Sequence, residues 1–326
     1  MRVQLPNVLA AIALLAAGCG STSDLVIGYQ AEASAPLRPP MCPNPIRDAS
    51  DEFADASIET SMEPDDAAAD AMPDAELDSA DSSCPLPGGP CGPLKGALIH
   101  RYSFNGMGTM VTDSAGTANG TVYGARLNGD GTLVLAGGNS DQFVDLPDGI
   151  VRSLHDATFE AWIEWNGCGV WQRIFDFGSS DAPEGNRGMA VTSLYLTPQS
   201  ATVADPTESN VMLGAFKRAD QLGMVEARTT APQPAPTGVM SQVVLVVDDT
   251  NDLMLLYRDG VLEGSKPFPD ALYMLNDINN WLGRSQYFND VSFNGRFYEF
   301  RIFNAPLSAR AVRTLFLGGT DPAFLN

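Results

Sequence analysis

The chain has 326 residues, with 40 Asp and Glu against 19 Lys and Arg, for a formal net charge of −21. Such a polyanion repels phosphates, which argues against nucleic-acid binding as its role. Hydrophobic residues make up 44%, enough for a sizeable core, whereas two histidines and the lack of any Cys-x-x-Cys argue against a zinc site.

Residues 1–18 read as a signal peptide: Arg2 precedes an uncharged apolar run from Val8 to Ala17. Crossing a bilayer takes about 20 apolar residues, so this run is a secretory leader rather than a span. Its ending, Leu15-Ala16-Ala17-Gly18-Cys19, resembles the lipobox of bacterial lipoproteins, with Ala16 where Leu is commonest. That resemblance implies cleavage before Cys19, acylation of its thiol and attachment to a membrane through the lipid. Gly20 and Ser21 carry no acidic inner-membrane retention signal, so the outer membrane or the cell surface is the expected location. Export also places Cys42, Cys84, Cys91 and Cys168 in an oxidising compartment, where disulfides are expected. Three pairings are open, and the spacing does not choose among them.

Residues 19–91 form the expected linker. Between 48 and 83 the chain carries 13 acidic residues and no Lys or Arg, set among Ala, Ser and Pro. A segment of that composition buries too little apolar surface to offset its ordering entropy, so it is expected to act as a solvated spacer.

From 92 to 326 the texture changes to glycine-rich turns between short β-branched and aromatic runs, the pattern of an all-β, two-sheet antiparallel sandwich. Strands are expected at 98–104, 121–126, 132–135, 142–146, 158–165, 171–177, 191–197, 211–217, 224–229, 242–248, 253–258, 280–284 and 293–303. Asp259-Gly260 between two apolar runs predicts a tight hairpin. Ser308 is placed to cap one short helix over 309–317. In Phe159-Glu160-Ala161-Trp162-Ile163-Glu164-Trp165, period-2 alternation assigns Glu160, Trp162 and Glu164 to the face away from the core. The same alternation turns Glu299 and Arg301 outward against Phe300 and Ile302.

Several segments together resemble the laminin-G-like, concanavalin-A-like jelly roll. They are Tyr102-Ser103-Phe104 with Asp113-Ser114-Ala115-Gly116 and Asn119-Gly120; Thr158 to Ile163; Ile174-Phe175-Asp176-Phe177-Gly178; Leu256 to Gly260; Leu282-Gly283-Arg284; and Phe293 to Ser308. The resemblance spans about 98–317 and implies a jelly roll with a binding role. It also implies a structural calcium ion, with Asp113 as its candidate ligand, but Tyr298 stands where the family often has a second Asp. Met240 to Val244 lacks the Trp and His of the family's corresponding strand.

The catalytic alternative is a glycan-active hydrolase on the same fold. Some enzymes with this fold carry E-x-D-x-x-E or E-x-D-x-E on one strand, and neither run occurs. Glu160 and Glu164 share a face, but at about 3.3 Å per residue they lie some 13 Å apart, too far for the pair that flanks a glycosidic bond. No G-x-S-x-G elbow supports a serine triad for His100 or His155. The expected function is therefore a non-catalytic surface module recognising carbohydrate or another envelope or extracellular ligand. Its expected site is Glu160, Trp162, Glu164, Glu299 and Arg301, where a ring beside fixed charges suits sugar or peptide. A purely structural envelope lipoprotein is the remaining alternative.

Overall fold

The computed structural model describes residues 92–220 and 223–321. The expected signal peptide 1–18, the expected lipidation site Cys19, the expected linker 19–91 and the cysteines Cys42, Cys84 and Cys91 lie outside them. The chain runs α1 (Gly92–Ala97), β1 (Leu98–Tyr102), β2 (Met107–Gly108), β3 (Met110–Val111), β4 (Gly120–Tyr123), β5 (Leu127–Asn128), β6 (Leu133–Gly138), β7 (Phe143–Leu146) and β8 (Ala157–Trp165). It continues through β9 (Phe175–Ser180), β10 (Ala190–Thr197), β11 (Leu213–Asp220), β12 (Gly223–Thr230), β13 (Met240–Asp248), β14 (Leu253–Arg258), β15 (Val261–Pro267), β16 (Asn279–Leu282), β17 (Ser292–Phe303) and α2 (Ala309–Gly318).

Two antiparallel sheets result. The seven-stranded one has the order β1-β17-β8-β13-β14-β15, with β6 also on β17; the eight-stranded one has the order β12-β11-β10-β9-β16-β7-β4-β3. Between them lies the main core, where Phe159, Ala161 and Ile163 of β8 meet Phe175 and Phe177 of β9 and Phe300 and Ile302 of β17. The jelly roll read from the sequence is the fold observed.

Asp259 and Gly260 have φ of 51° and 76°, the double left-handed geometry of a two-residue hairpin turn, and they join β14 to β15 with Arg258 opposite Val261. Ser308 accepts a hydrogen bond from the Ala311 amide at 3.3 Å and caps α2 as expected. One strand boundary differs. The strand expected over 171–177 begins only at Phe175, because Cys168 and Trp171 take φ of 75° and 58° and break the extended chain into a loop.

In β17 the register slips between Phe297 and Glu299, leaving Tyr298 as a bulge residue. The slip lets Phe293 and Phe297 face the core before it, and Phe300 and Ile302 after it.

α2 lies across the outer face of the seven-stranded sheet. There Val312 and Leu315 join Val244, Val246, Tyr257 and Phe303 in a second apolar cluster. Among the described residues no helix is long and apolar enough to cross a membrane.

Candidate functional site

The residues expected to form the site do come together, but under cover. β8 pairs with β17 so that Glu160 sits opposite Arg301 and Trp162 opposite Glu299. Arg301 donates from Nη1 to Glu160 Oε2 at 3.0 Å and from Nε to Glu299 Oε1 at 2.9 Å. Glu160 Oε1 also accepts from the Trp162 indole at 3.0 Å and from Gln242 at 2.7 Å. Trp162 stacks on Phe316 of α2 with centroids 5.9 Å apart and planes 4° from parallel. The expectation of an accessible face is corrected: Glu160, Glu299 and Arg301 are at most 1% exposed and Trp162 is 6% exposed. α2 needs an underside, and this network supplies its polar part. Only Glu164, half-buried and accepting from the Tyr298 hydroxyl at 2.9 Å, stands apart from the cluster. Burial pushes the Glu299 carboxyl up, against the pull of Arg301 and Arg101.

Asp113 does not fit a calcium ion. Its Oδ1 accepts from the amides of Arg101, Ala115 and Gly116 at 2.9–3.1 Å, and its Oδ2 meets His100 Nδ1 at 2.7 Å and the Ala118 amide at 3.0 Å. A carboxylate ringed by N–H donors has no lone pair to offer a cation, and Asp113 instead holds its own turn. Burial pushes its carboxyl up, but the hydrogen bonds from His100 and the backbone outweigh this and hold it below the usual carboxylate value. Among the described residues no group of three or more His, Cys, Asp or Glu could hold a metal ion.

The open chemistry lies on the opposite side of the molecule, on the outer face of the eight-stranded sheet. Asp145, Trp281, Asp176, Tyr195, Ala215 and Arg228 are successive cross-strand partners from β7 to β12. At about 4.8 Å per strand the row is roughly 24 Å long. It faces outward because the alternate residues Phe175, Phe177, Leu194, Leu196 and Phe216 fill the core. Gly283, with φ of 86° and no room for a Cβ beside Leu135, turns the chain out of β16 so that the loop after it crosses the row. That loop is tied down where the Gln286 amide donates to Asp176 at 3.0 Å.

On the β10–β12 side of this loop a pocket of about 220 Å³ opens between Trp171, Tyr195 and Tyr287. Its base is the buried guanidinium of Arg173, 4.2 Å from the Tyr195 ring centroid and 5.7 Å from that of Trp171. Arg173 is held by Asp290 at 3.0 Å, Asp176 at 3.3 Å and the Trp171 carbonyl at 2.7 Å. Along the far wall the Tyr195 hydroxyl donates to Glu226 at 2.6 Å, and Arg228 bridges Glu226 at 2.6 Å and Glu208 at 2.5 Å. Lys217 sits over the Tyr287 ring, 4.6 Å from its centroid. Burial pushes Asp176 up to about 6, although Arg173, Ser193 and the Gln286 amide draw it down. Burial also opposes the charge on Arg173, but Asp290 and Asp176 more than compensate and raise it.

Sequence reasoning missed this pocket. Its lining residues come from four separated stretches, 171–173, 195, 226–228 and 287–290, and only the fold brings them together. The available signals were the alternation of Glu226 and Arg228 about Ala227 and the single Tyr195 between Leu194 and Leu196.

A family model described as the concanavalin A-like lectin/glucanases superfamily matches residues 137–313, more than half of the chain. The chain belongs to this superfamily. A comparison with curated proteins gives no match. Among solved structures, the superfamily fold of this chain is similar to domain 4 of an extracellular GH43 arabinanase from Geobacillus stearothermophilus, in complex with arabinotriose. The identity is 22%, the TM-score 0.48, and the match covers 67% of this chain and 98% of that one. It is also similar to the CBM40 of a Ruminococcus gnavus IT-sialidase bound to α2,3-sialyllactose, at 14% identity and TM-score 0.42 over 57% and 96% of the two chains. A third similar structure is the binding domain of botulinum neurotoxin DC with rat synaptotagmin II, at 13% identity and TM-score 0.48. That match covers 69% of this chain and 52% of the neurotoxin domain.

Proposed function

We propose that the chain is a non-catalytic, lectin-like binding module that takes carbohydrate in the pocket on the outer face of the eight-stranded sheet. The observation that carries this reading is the pocket itself, in which three aromatic rings stand around guanidinium and carboxylate groups already fixed by one another. Rings supply stacking surface to the C–H face of a sugar, and the fixed charges supply oriented hydrogen bonds without a large entropy cost on binding. Membership of a lectin and glucanase superfamily agrees with it. Lipidation at Cys19, a disulfide from Cys168 to one of Cys42, Cys84 or Cys91, and location at the outer membrane or cell surface complete the proposal.

A hydrolase is the second reading, favoured by two carboxylates, Glu226 and Asp290, lining one pocket. Incubating the full chain with a panel of polysaccharides, and following both retention and release of reducing ends, separates the two. Saturable retention without new reducing ends supports the module, and turnover lost in Glu226→Gln overturns it.

A further inference from the structure

We infer that the pocket selects a single uncharged sugar ring and rejects uronic and sialic acids; the inference rests on the carbohydrate reading and specifies its ligand. Three cations, Arg173, Arg228 and Lys217, face four carboxylates, Asp176, Asp290, Glu226 and Glu208, so the cations are already outnumbered. Each guanidinium is engaged by two carboxylates, Arg173 by Asp290 and Asp176, and Arg228 by Glu226 and Glu208. Recognition of a sugar carboxylate asks for a guanidinium edge with both donors free, which neither arginine presents. An incoming acid would bring a fifth carboxylate and would have to displace Glu226 or Asp290 from its arginine. That displacement would leave a partly desolvated carboxylate without its counter-charge. Residues 92–326 add a longer-range repulsion, with 25 acidic against 16 basic residues.

A hydroxyl group meets no such obstacle, because it both donates and accepts. The volume sets the size. About 220 Å³ falls below the roughly 300–1,000 Å³ of sites that enclose drug-sized ligands, and leaves room for one ring. The ring would be a chain end or a branch, seated against Tyr287 and Trp171 at the pocket mouth.

The test uses the purified full chain and two probe sets: neutral arabino-, xylo- and gluco-oligosaccharides of one to four units, and acidic galacturonate oligomers with sialyllactose. Titration calorimetry should show binding of at least one neutral series, with affinity changing less than about threefold from two units to four. Tyr287→Ala should weaken that binding about tenfold with little change in Tm, as the loss of one stacking partner would. In Glu226→Gln, where Arg228 is partly released, weak binding of the acidic set should emerge. Acidic glycans held by the wild type and lost in Tyr287→Ala would overturn the inference while leaving a carbohydrate module. So would affinity that climbs with every added unit, or neutral binding indifferent to Tyr287→Ala. Absence of binding to either set would instead overturn the carbohydrate reading, and the inference with it.

Discussion

At the scale of single residues, the two faces of the sandwich put similar side chains to opposite uses. Trp162 and Trp171 both lie beside an arginine and a glutamate or aspartate, yet Trp162 is sealed against Phe316 while Trp171 reaches the pocket. Trp162→Ala should therefore behave as a core truncation, costing about 3–5 kcal/mol, because it removes a stacked ring and leaves Glu160 without one of its donors. The melting temperature should fall by roughly 6–20 °C; a variant that melts like the wild type would show that α2 does not cover this residue in solution. Asp145 gives a second residue-scale prediction. Burial pushes its carboxyl up to about 6, with Asp148 and Glu184 adding to the rise and the Trp281 indole and Arg284 opposing it. A carboxyl whose folded value exceeds the unfolded value of about 3.9 holds its proton more tightly when folded. Its contribution to stability is thus fully present below about pH 4 and is lost as pH rises toward 6. In Asp145→Asn the fall in stability over that interval should be shallower, as read by urea unfolding at pH 4, 5, 6 and 7. Parallel curves for the two proteins would contradict the assigned cause.

At the scale of elements, the sequence reading succeeds where a local rule decides and stops where docking decides. β8 could be read because four apolar residues alternate with Glu160, Trp162 and Glu164, and α2 because Ser308 stands at its start. Nothing in the alternation says which outward face a helix will cover, since that depends on Val312 and Leu315 finding Val244, Val246 and Phe303 across the sheet. The expected site was assigned to the covered face for that reason. Residues 171–174 read as strand because Trp171 and Arg173 are acceptable strand residues, and only the left-handed geometry at Cys168 and Trp171 removes them from β9. α2 is also where an element-scale prediction belongs. Its cap is one hydrogen bond from the Ala311 amide to Ser308, so Ser308→Ala should cost about 1 kcal/mol, or roughly 2–4 °C in Tm. Arg301 and Arg101 hold the far end by donating to the carbonyls of Gly319 and Thr320 at 3.3 and 3.5 Å. Because that end stays fastened, the capping variant should keep its near-ultraviolet circular dichroism; loss of that signal would mean the helix depends on its cap alone.

At the scale of the whole molecule, the chain divides its charge and its chemistry between two parts. Residues 1–91 hold 15 acidic and three basic residues and the sequence around Cys19, while the pocket belongs to residues 171–290. The proposed anchor at Cys19 and the proposed glycan site in the pocket would together suit a module that stays with its cell. The proposal turns on Cys19, whose thiol follows the small residues Ala16, Ala17 and Gly18 and would carry the lipid. A single acyl chain holds a protein at a bilayer only marginally, and two or more make attachment stable, so loss of the acylated residue should have a large effect on partitioning. Cys19→Ser should move the protein from the membrane pellet to the soluble fraction, or leave an unprocessed precursor heavier by the leader. The described domain should keep the Tm of the wild type, because the substitution falls outside residues 92–321. Equal membrane partitioning for Cys19→Ser and the wild type would remove the anchor from the proposal and leave the pocket as the part still to be tested.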